Sequence, residues 1–142
     1  MLKPQIVIDT SAFISALLSQ QGAAYRLLML ADQGLFEINL SVPLVAEYEA
    51  VGQRLLDRSP LTSGDLDAIL DHLCDIGNKR RVFFLWRPFL RDPQDDMVLE
   101  LAVAASCQFI VTFNARHFVG SEQFGVKIVT PKEFLQWIGK LS

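Results

Sequence analysis

Apolar residues fall along this chain in short unbroken runs that alternate with stripes at helical spacing. Gln5 to Ile8, reading QIVI, is an apolar run that stops at Asp9-Thr10-Ser11, and Phe13, Ile14, Leu17 and Leu18 then recur as one face of a helix. The pattern predicts a buried strand feeding a helix. A second helix is expected from Ala23 to Asp32, opened by Gly22 and closed by Gly34. Phe36 to Leu40 reads as a second strand. Ser41 and Pro43 then open a third helix with Leu44, Tyr48, Val51 and Leu55 on one face. Ser59-Pro60 breaks it, and Thr62 or Ser63 caps a fourth, carrying Leu66, Ile69, Leu70 and Leu73 inward. Further strands are expected at Val82 to Trp86, Gln108 to Thr112 and Val126 to Val129. A last helix begins at Thr130-Pro131 with Phe134, Leu135 and Ile138 turned in. Strands that are apolar throughout, separated by helices, predict an α/β fold whose parallel sheet is covered on both faces.

The helix between the third and fourth strands departs from the usual pattern. It lies in Arg91 to Phe118, RDPQDDMVLELAVAASCQFIVTFNARHF, and gathers Asp92, Asp95, Asp96 and Glu100 at its start. From Met97 to Ala105 the only charge is Glu100. At about 100° per residue Asp96 and Glu100 share a side of a helix that is otherwise apolar nearly all round, and such a helix is buried. Acids in a first turn complement the helix dipole, which is sufficient reason for Asp92 and Asp95. A carboxylate on a buried helix needs more: a basic partner or a metal ion, because an unpaired buried charge costs several kcal/mol or more.

Asp9 is placed by the same logic at the carboxyl end of the first strand, where open α/β sheets bind their ligands. Any one of Asp9, Thr10 and Ser11 suffices to cap the helix, which leaves the other two to be explained. Glu47 flanks the apolar face of the third helix and can reach the same edge; an exposed glutamate serving the helix dipole is the competing account. Glu49 points well away. Thr112-Phe113-Asn114-Ala115-Arg116-His117-Phe118 leaves the carboxyl end of the fourth strand as a polar loop. Right-handed crossovers bring such strand ends to one edge. Clustered carboxylates repel one another unless they share protons or a cation, and hard divalent ions prefer oxygen ligands. Acids and a divalent metal at one edge are suited to phosphodiester hydrolysis.

Composition narrows the field only a little. At 142 residues, 51% apolar and 20% charged, the chain is expected to be one domain spanning 1–142. Its net charge of −3 supplies no global attraction to nucleic acid, so a polynucleotide substrate requires local bases or bound cations. Lys79-Arg80-Arg81 is one basic run, either solvated or turned toward the acids. Cys74 and Cys107 make neither a close metal pair nor a disulfide framework. His72 has no ligand-spaced Cys or His near it and reads as solvated. The opening MLKPQIVIDTS meets an acid too soon for a secretory signal, and no run is long enough to span a bilayer, so a cytoplasmic protein is expected.

The segments IVIDTSAFISALLS, SVPLVAEYEAV, RDPQDDMVLELAVAASCQFIVTFNARHF and KIVTPKEFL, in this order and spacing, resemble PIN-domain proteins, close to the toxin ribonucleases of bacterial toxin–antitoxin pairs. The resemblance covers nearly the whole chain. It implies a three-layer α/β/α fold with a five-stranded parallel sheet, and Mg²⁺- or Mn²⁺-dependent cleavage of single-stranded RNA. An antitoxin protein as inhibitor and a homodimer are implied as well. On its terms Asp9, Glu47 and Asp96 are the catalytic acids and, with Asp95, the metal ligands, while Thr10, Ser11, Thr112 and Asn114 meet the substrate. Where many relatives carry a fourth acid after the Asn, this chain has Arg116-His117. A second metal site is then weaker, partly built by imidazole, or completed by Asp95 or Glu100.

Three other readings use the same residues. One is an RNA-processing or DNA nuclease outside any toxin pair. A phosphoacceptor signalling domain also gathers acids at a sheet edge, but it needs a Lys near a later strand end, and the loop after Val111 supplies none. The last is a nucleic-acid-binding domain that has lost its metal. On the final helix, Phe134 and Trp137 are open to two uses, a dimer patch or core.

Overall fold

The computed structural model describes residues 3–82 and 89–141. Five strands, β1 (Gln5–Ile8), β2 (Glu37–Leu40), β3 (Asn78–Lys79), β4 (Phe109–Val111) and β5 (Lys127–Val129), form one parallel sheet in the order β3-β2-β1-β4-β5. Helices α1 (Thr10–Leu18) and α2 (Ala23–Met29) connect β1 to β2, and α3 (Val42–Leu55) and α4 (Ser63–Ile76) connect β2 to β3. A single long helix, α5 (Pro93–Ala104), precedes β4, and α6 (Pro131–Trp137) follows β5. The sheet grows outward from β1 in one direction through β2 and β3, then in the other through β4 and β5. With right-handed crossovers, α1 to α4 cover one face and α5 the other. The direction reverses between β1 and β4, and this switch point is where a crevice opens at the strands' carboxyl ends.

Local chemistry sets the helix boundaries. Ser41 accepts a hydrogen bond from the Leu44 amide, and Pro43 sits in the first turn of α3. Thr62 and Thr130 each make a reciprocal capping box with the acid three residues on, Asp65 and Glu133. Asp92 caps α5 by accepting from the Gln94 amide. The expected helices are present with ends shifted by a few residues, α2 stopping at Met29 rather than Asp32.

The third strand differs from expectation. The segment paired with β2 is Asn78–Lys79, aligned with Asn39 and Leu40, and Val82 lies outside any strand; residues 83–86 of the expected strand fall outside the described residues. Apolar periodicity misses β3 because polar side chains support it. Asn78 donates to Gln5 and Glu37, Asn39 donates to Gln5, and the Arg80 guanidinium donates to Asn39 at 3.0 Å. The Asn78 donation is the main reason the Glu37 carboxyl is held below its ordinary pKa. An edge strand that ends in Lys79 and Arg80 also discourages pairing with another chain.

The core is one cluster running from β1 and β4 outward to every helix. Val98, Leu99, Leu101 and Ala102 of α5 are all buried, as the nearly all-apolar helix required. Phe134 packs edge-on against Phe36 and Phe109, with centroids 5.2 and 5.3 Å apart. Trp137, one turn later, is 57% exposed, so the two aromatic residues of α6 part company: Phe134 is core and Trp137 is surface. Cys107 is buried, which pushes its thiol pKa up to about 12. No described helix is long and apolar enough to cross a membrane.

Candidate functional site

Asp9 leaves β1 at the switch point, and the adjacent ends of β1 and β4 fix its position. Its backbone amide donates to the Val111 carbonyl at 2.9 Å, so the chain is still tied to β4 where the side chain emerges. Oδ2 of Asp9 accepts from the Thr112 hydroxyl at 2.6 Å and from the Ser11 hydroxyl at 2.9 Å. Those two hydroxyls lie 3.2 Å apart. Thr112 Oγ1 in turn accepts from the Asn114 amide, and Ser11 Oγ accepts from the Phe113 amide. Thr112 is completely buried. A threonine so enclosed orients the acid rather than meeting a ligand. Ser11 is half-buried, and Asn114 is exposed at the mouth of the loop.

Glu47 reaches this edge from the second turn of α3. Its Oε2 accepts from the Thr10 hydroxyl at 2.6 Å, and the Gln94 side chain, with its NH₂ turned to the carboxylate, donates to it as well. Next to Glu47 on α3, Tyr48 is fully buried, stacks on Phe13 at 4.3 Å and donates its hydroxyl to the Ile8 carbonyl. Burial first, and then the negative charges of Asp9 and Glu47, push its pKa well above the ordinary tyrosine value. Tyr48 therefore stays neutral and anchors the end of β1 from beneath the acids.

The two acids that open α5 have different partners. Asp96, 8% exposed, accepts on Oδ1 from the backbone amides of Leu90 at 2.9 Å and Phe89 at 3.3 Å, holding the entry into the helix. Asp95 faces the crevice. Its pKa is raised to about 6, chiefly by burial, then by the charges of Asp9 and Asp92 and, less, of Glu47; the His117 imidazole opposes the shift. Nδ1 of His117 lies 3.4 Å from Asp95 Oδ2. Glu100, the other buried acid of α5, instead lines a separate cleft with Arg80, Arg81 and Met97. His72 is exposed, 3.7 Å from Asp32 on the surface.

The loop after β4 closes the crevice. Residues Ala115–Phe118 form one turn of 3₁₀ helix whose Phe118 is completely buried, and this anchor leaves Arg116 and His117 exposed. They face Asp92 and Asp95 across a cleft of about 780 Å³, next to Arg91. A second cleft, about 750 Å³, runs on the other side of Asp92 between α3 and α5, past Glu47, Arg54 and Gln94.

Residues 5–116, from the start of β1 to the arginine of this loop, match the family model described as PIN domain. The chain belongs to the PIN-domain family. PIN domains are typically nucleases and generally use divalent metals. No curated protein sequence matches this chain. The matched span includes every acid named at the crevice, and the five-stranded parallel sheet with six helices among the described residues is consistent with a PIN domain.

The donor set of this PIN domain fits a hard divalent cation in chemistry and charge. Asp9, Glu47 and Asp95 offer only oxygen, and the pKa of Asp95 is raised first by burial and then by neighbouring negative charge that a cation would relieve. Among the described residues no three His, Cys, Asp or Glu side chains are gathered closely enough to ligate one ion in common. Gln94 and Tyr48 contribute to this site without any motif in the sequence to mark them. Gln94 is detectable only as a polar residue two positions after a cap, and Tyr48 reads as part of an apolar stripe.

Proposed function

We propose that this PIN domain is a Mg²⁺- or Mn²⁺-dependent endoribonuclease that cleaves phosphodiester bonds in single-stranded RNA. The observation that carries the reading is Asp95. Its carboxyl lies near enough to Asp9, Asp92 and Glu47 to feel their charges, which add to burial, the larger cause, in raising its pKa to about 6. Asp9, Glu47, Asp95 and Asp96 are the residues that would hold the ion. Bound there, a divalent cation activates water and offsets charge growing on the phosphate. The chain's own groups supply orientation. Thr112 and Ser11 fix one oxygen of Asp9, Thr10 and Gln94 fix Glu47, and backbone amides fix Asp96. Thr10, beside Glu47, Ser11, beside Asp9, and Asn114, next along from Thr112, are proposed as polar contacts for the RNA, with Thr112 buried behind them.

The cellular role proposed is that of the toxin of a toxin–antitoxin pair, acting in the cytoplasm as a homodimer and restrained by an antitoxin protein. Resemblance of the four sequence segments to such toxins supports this role, and the exposed Trp137 on α6 supports a self-association face. A second reading, a nucleic-acid-binding domain with weakened catalysis, is favoured by Arg116-His117 at the position where many relatives have an acid.

Cleavage of a mixed RNA pool decides between them. The wild-type protein with Mn²⁺ or Mg²⁺ is expected to cut, and EDTA, Asp9→Asn and Asp96→Asn to stop it. Full activity in both variants, or in EDTA, overturns the assignment. Growth arrest on expression of the wild-type chain but not of Asp9→Asn tests the toxin role, and unimpaired growth with the wild type refutes it.

A further inference from the structure

We infer that the cleft between the start of α5 and the loop after β4 is a nucleotide subsite: Arg91 and Arg116 hold phosphate next to the scissile bond, and Phe89 is the platform for its base. The inference deepens the nuclease reading and rests on it for the word scissile. Its volume, about 780 Å³, lies within the roughly 300–1,000 Å³ of small-ligand pockets.

Charge and aromatic surface here point to a polyanion with flat bases. Arg91 and Arg116 line the cleft together with the carboxylate of Asp95. Neither guanidinium takes part in an ion pair or hydrogen bond among the described residues, although acids line the same cleft. Two unpaired planar forks beside a candidate metal site are suited to phosphate oxygens, which they can grip with two hydrogen bonds each. In a chain of net charge −3 such local bases are needed to bring RNA to the acids at all.

The apolar part of the lining includes exposed side chains. Phe89 is 41% exposed and Val119 is 73% exposed. The Phe89 ring is fixed by the edge of Phe124 at 5.2 Å and by Gly120. Gly120 has φ 96°, and a Cβ there would stand 3.0 Å from the Phe89 ring, so glycine satisfies both the backbone turn and the close approach. A ring held on one side and open on the other is a stacking surface, and stacking tolerates any base. This fits a nuclease site whose phosphate contacts position the strand without reading its sequence.

The test is binding without chemistry. Fluorescence anisotropy of a short labelled single-stranded RNA of mixed sequence, in EDTA, is measured across a salt series for the wild type, Arg91→Ala, Arg116→Ala and Phe89→Ala. Lys3→Ala, on the opposite edge of the sheet, is the control. Each arginine variant is expected to bind about tenfold more weakly and to lower the slope of log K against log salt by about 0.7, one phosphate's share for a single strand. Phe89→Ala should weaken binding by about tenfold with the slope unchanged. Thermal melts matching the wild type exclude misfolding. Wild-type affinity and slope in all three variants overturn the subsite, as does an equal loss in Lys3→Ala. Metal-dependent cutting by the wild type judges the nuclease reading separately. Binding lost in Arg116→Ala while the wild type fails to cut supports a nucleotide site and overturns the nuclease; binding unchanged while the wild type cuts overturns the subsite alone.

Discussion

Replacing Asp95 with Asn should stabilise the metal-free protein, and the size of the effect follows from its titration. The carboxyl moves from an ordinary 3.8 to about 6 on folding, through burial and the charges of Asp9, Asp92 and Glu47. The folded state therefore binds this proton more tightly than the unfolded chain. Stability is greatest below about pH 4, falls as pH rises through about 6, and remains lower above that. The span corresponds to ~3 kcal/mol at about 1.36 kcal/mol per pH unit. Water in the open cleft screens the charges, which brings the expected gain to about 1–2 kcal/mol. For a chain of this length that is a rise in Tm of roughly 3–6 °C at pH 8. The assay is thermal and urea unfolding of wild type and Asp95→Asn in EDTA from pH 4 to 8. The two curves should converge near pH 4, separate between about pH 4 and 6, and stay apart above pH 6, with the variant the more stable. Added Mg²⁺ should narrow the gap by stabilising the wild type more. Parallel pH curves, or a variant less stable at pH 8, would refute the idea that burial and the neighbouring acids together disfavour the Asp95 charge.

Two further substitutions test how the site is held. Thr112→Val removes the buried hydroxyl that donates to Asp9, and should cost about 1.5–3 kcal/mol in urea unfolding and about tenfold in metal-dependent cleavage. Unchanged cleavage would mean that Asp9 does not need this partner. Gly77→Ala places a Cβ 2.7 Å from Leu40 Cδ1 and 2.8 Å from the Leu73 carbonyl, at the junction of α4 and β3. It should destabilise by about 1–3 kcal/mol while RNA binding in EDTA stays at the wild-type level, and a neutral Tm would show that β3 shifts freely.

Much of the architecture is legible in the sequence because helices and buried strands leave a local record. QIVI before Asp9, the acid-rich start of an apolar helix at Asp92 to Glu100, and the Thr-x-x-acid boxes at Thr62 and Thr130 each report on residues within a few positions of one another. They determine element type, order and the carboxyl-edge position of Asp9. The edge strand β3 escapes because it carries no apolar run. It is supported by amide contacts from Gln5, Glu37 and Asn39, residues 39 to 73 positions away in the chain.

The surroundings of each acid were decided only by the tertiary structure. Asp95 and Asp96 are neighbours in sequence, and the pattern favours Asp96 as the chemical residue because it shares a side with Glu100. In the fold, Asp96 accepts from the amides of Phe89 and Leu90, Glu100 lines the Arg80–Arg81 cleft, and Asp95 faces Asp9, Glu47 and His117. Likewise Thr112 reads as a polar loop residue, yet it is buried beneath Asp9, 103 residues away. Hydrophobic periodicity records which side of an element is dry. Which polar group a carboxylate meets depends on contacts that close only when β1, β4, α3 and α5 pack together, and no local pattern encodes that distance.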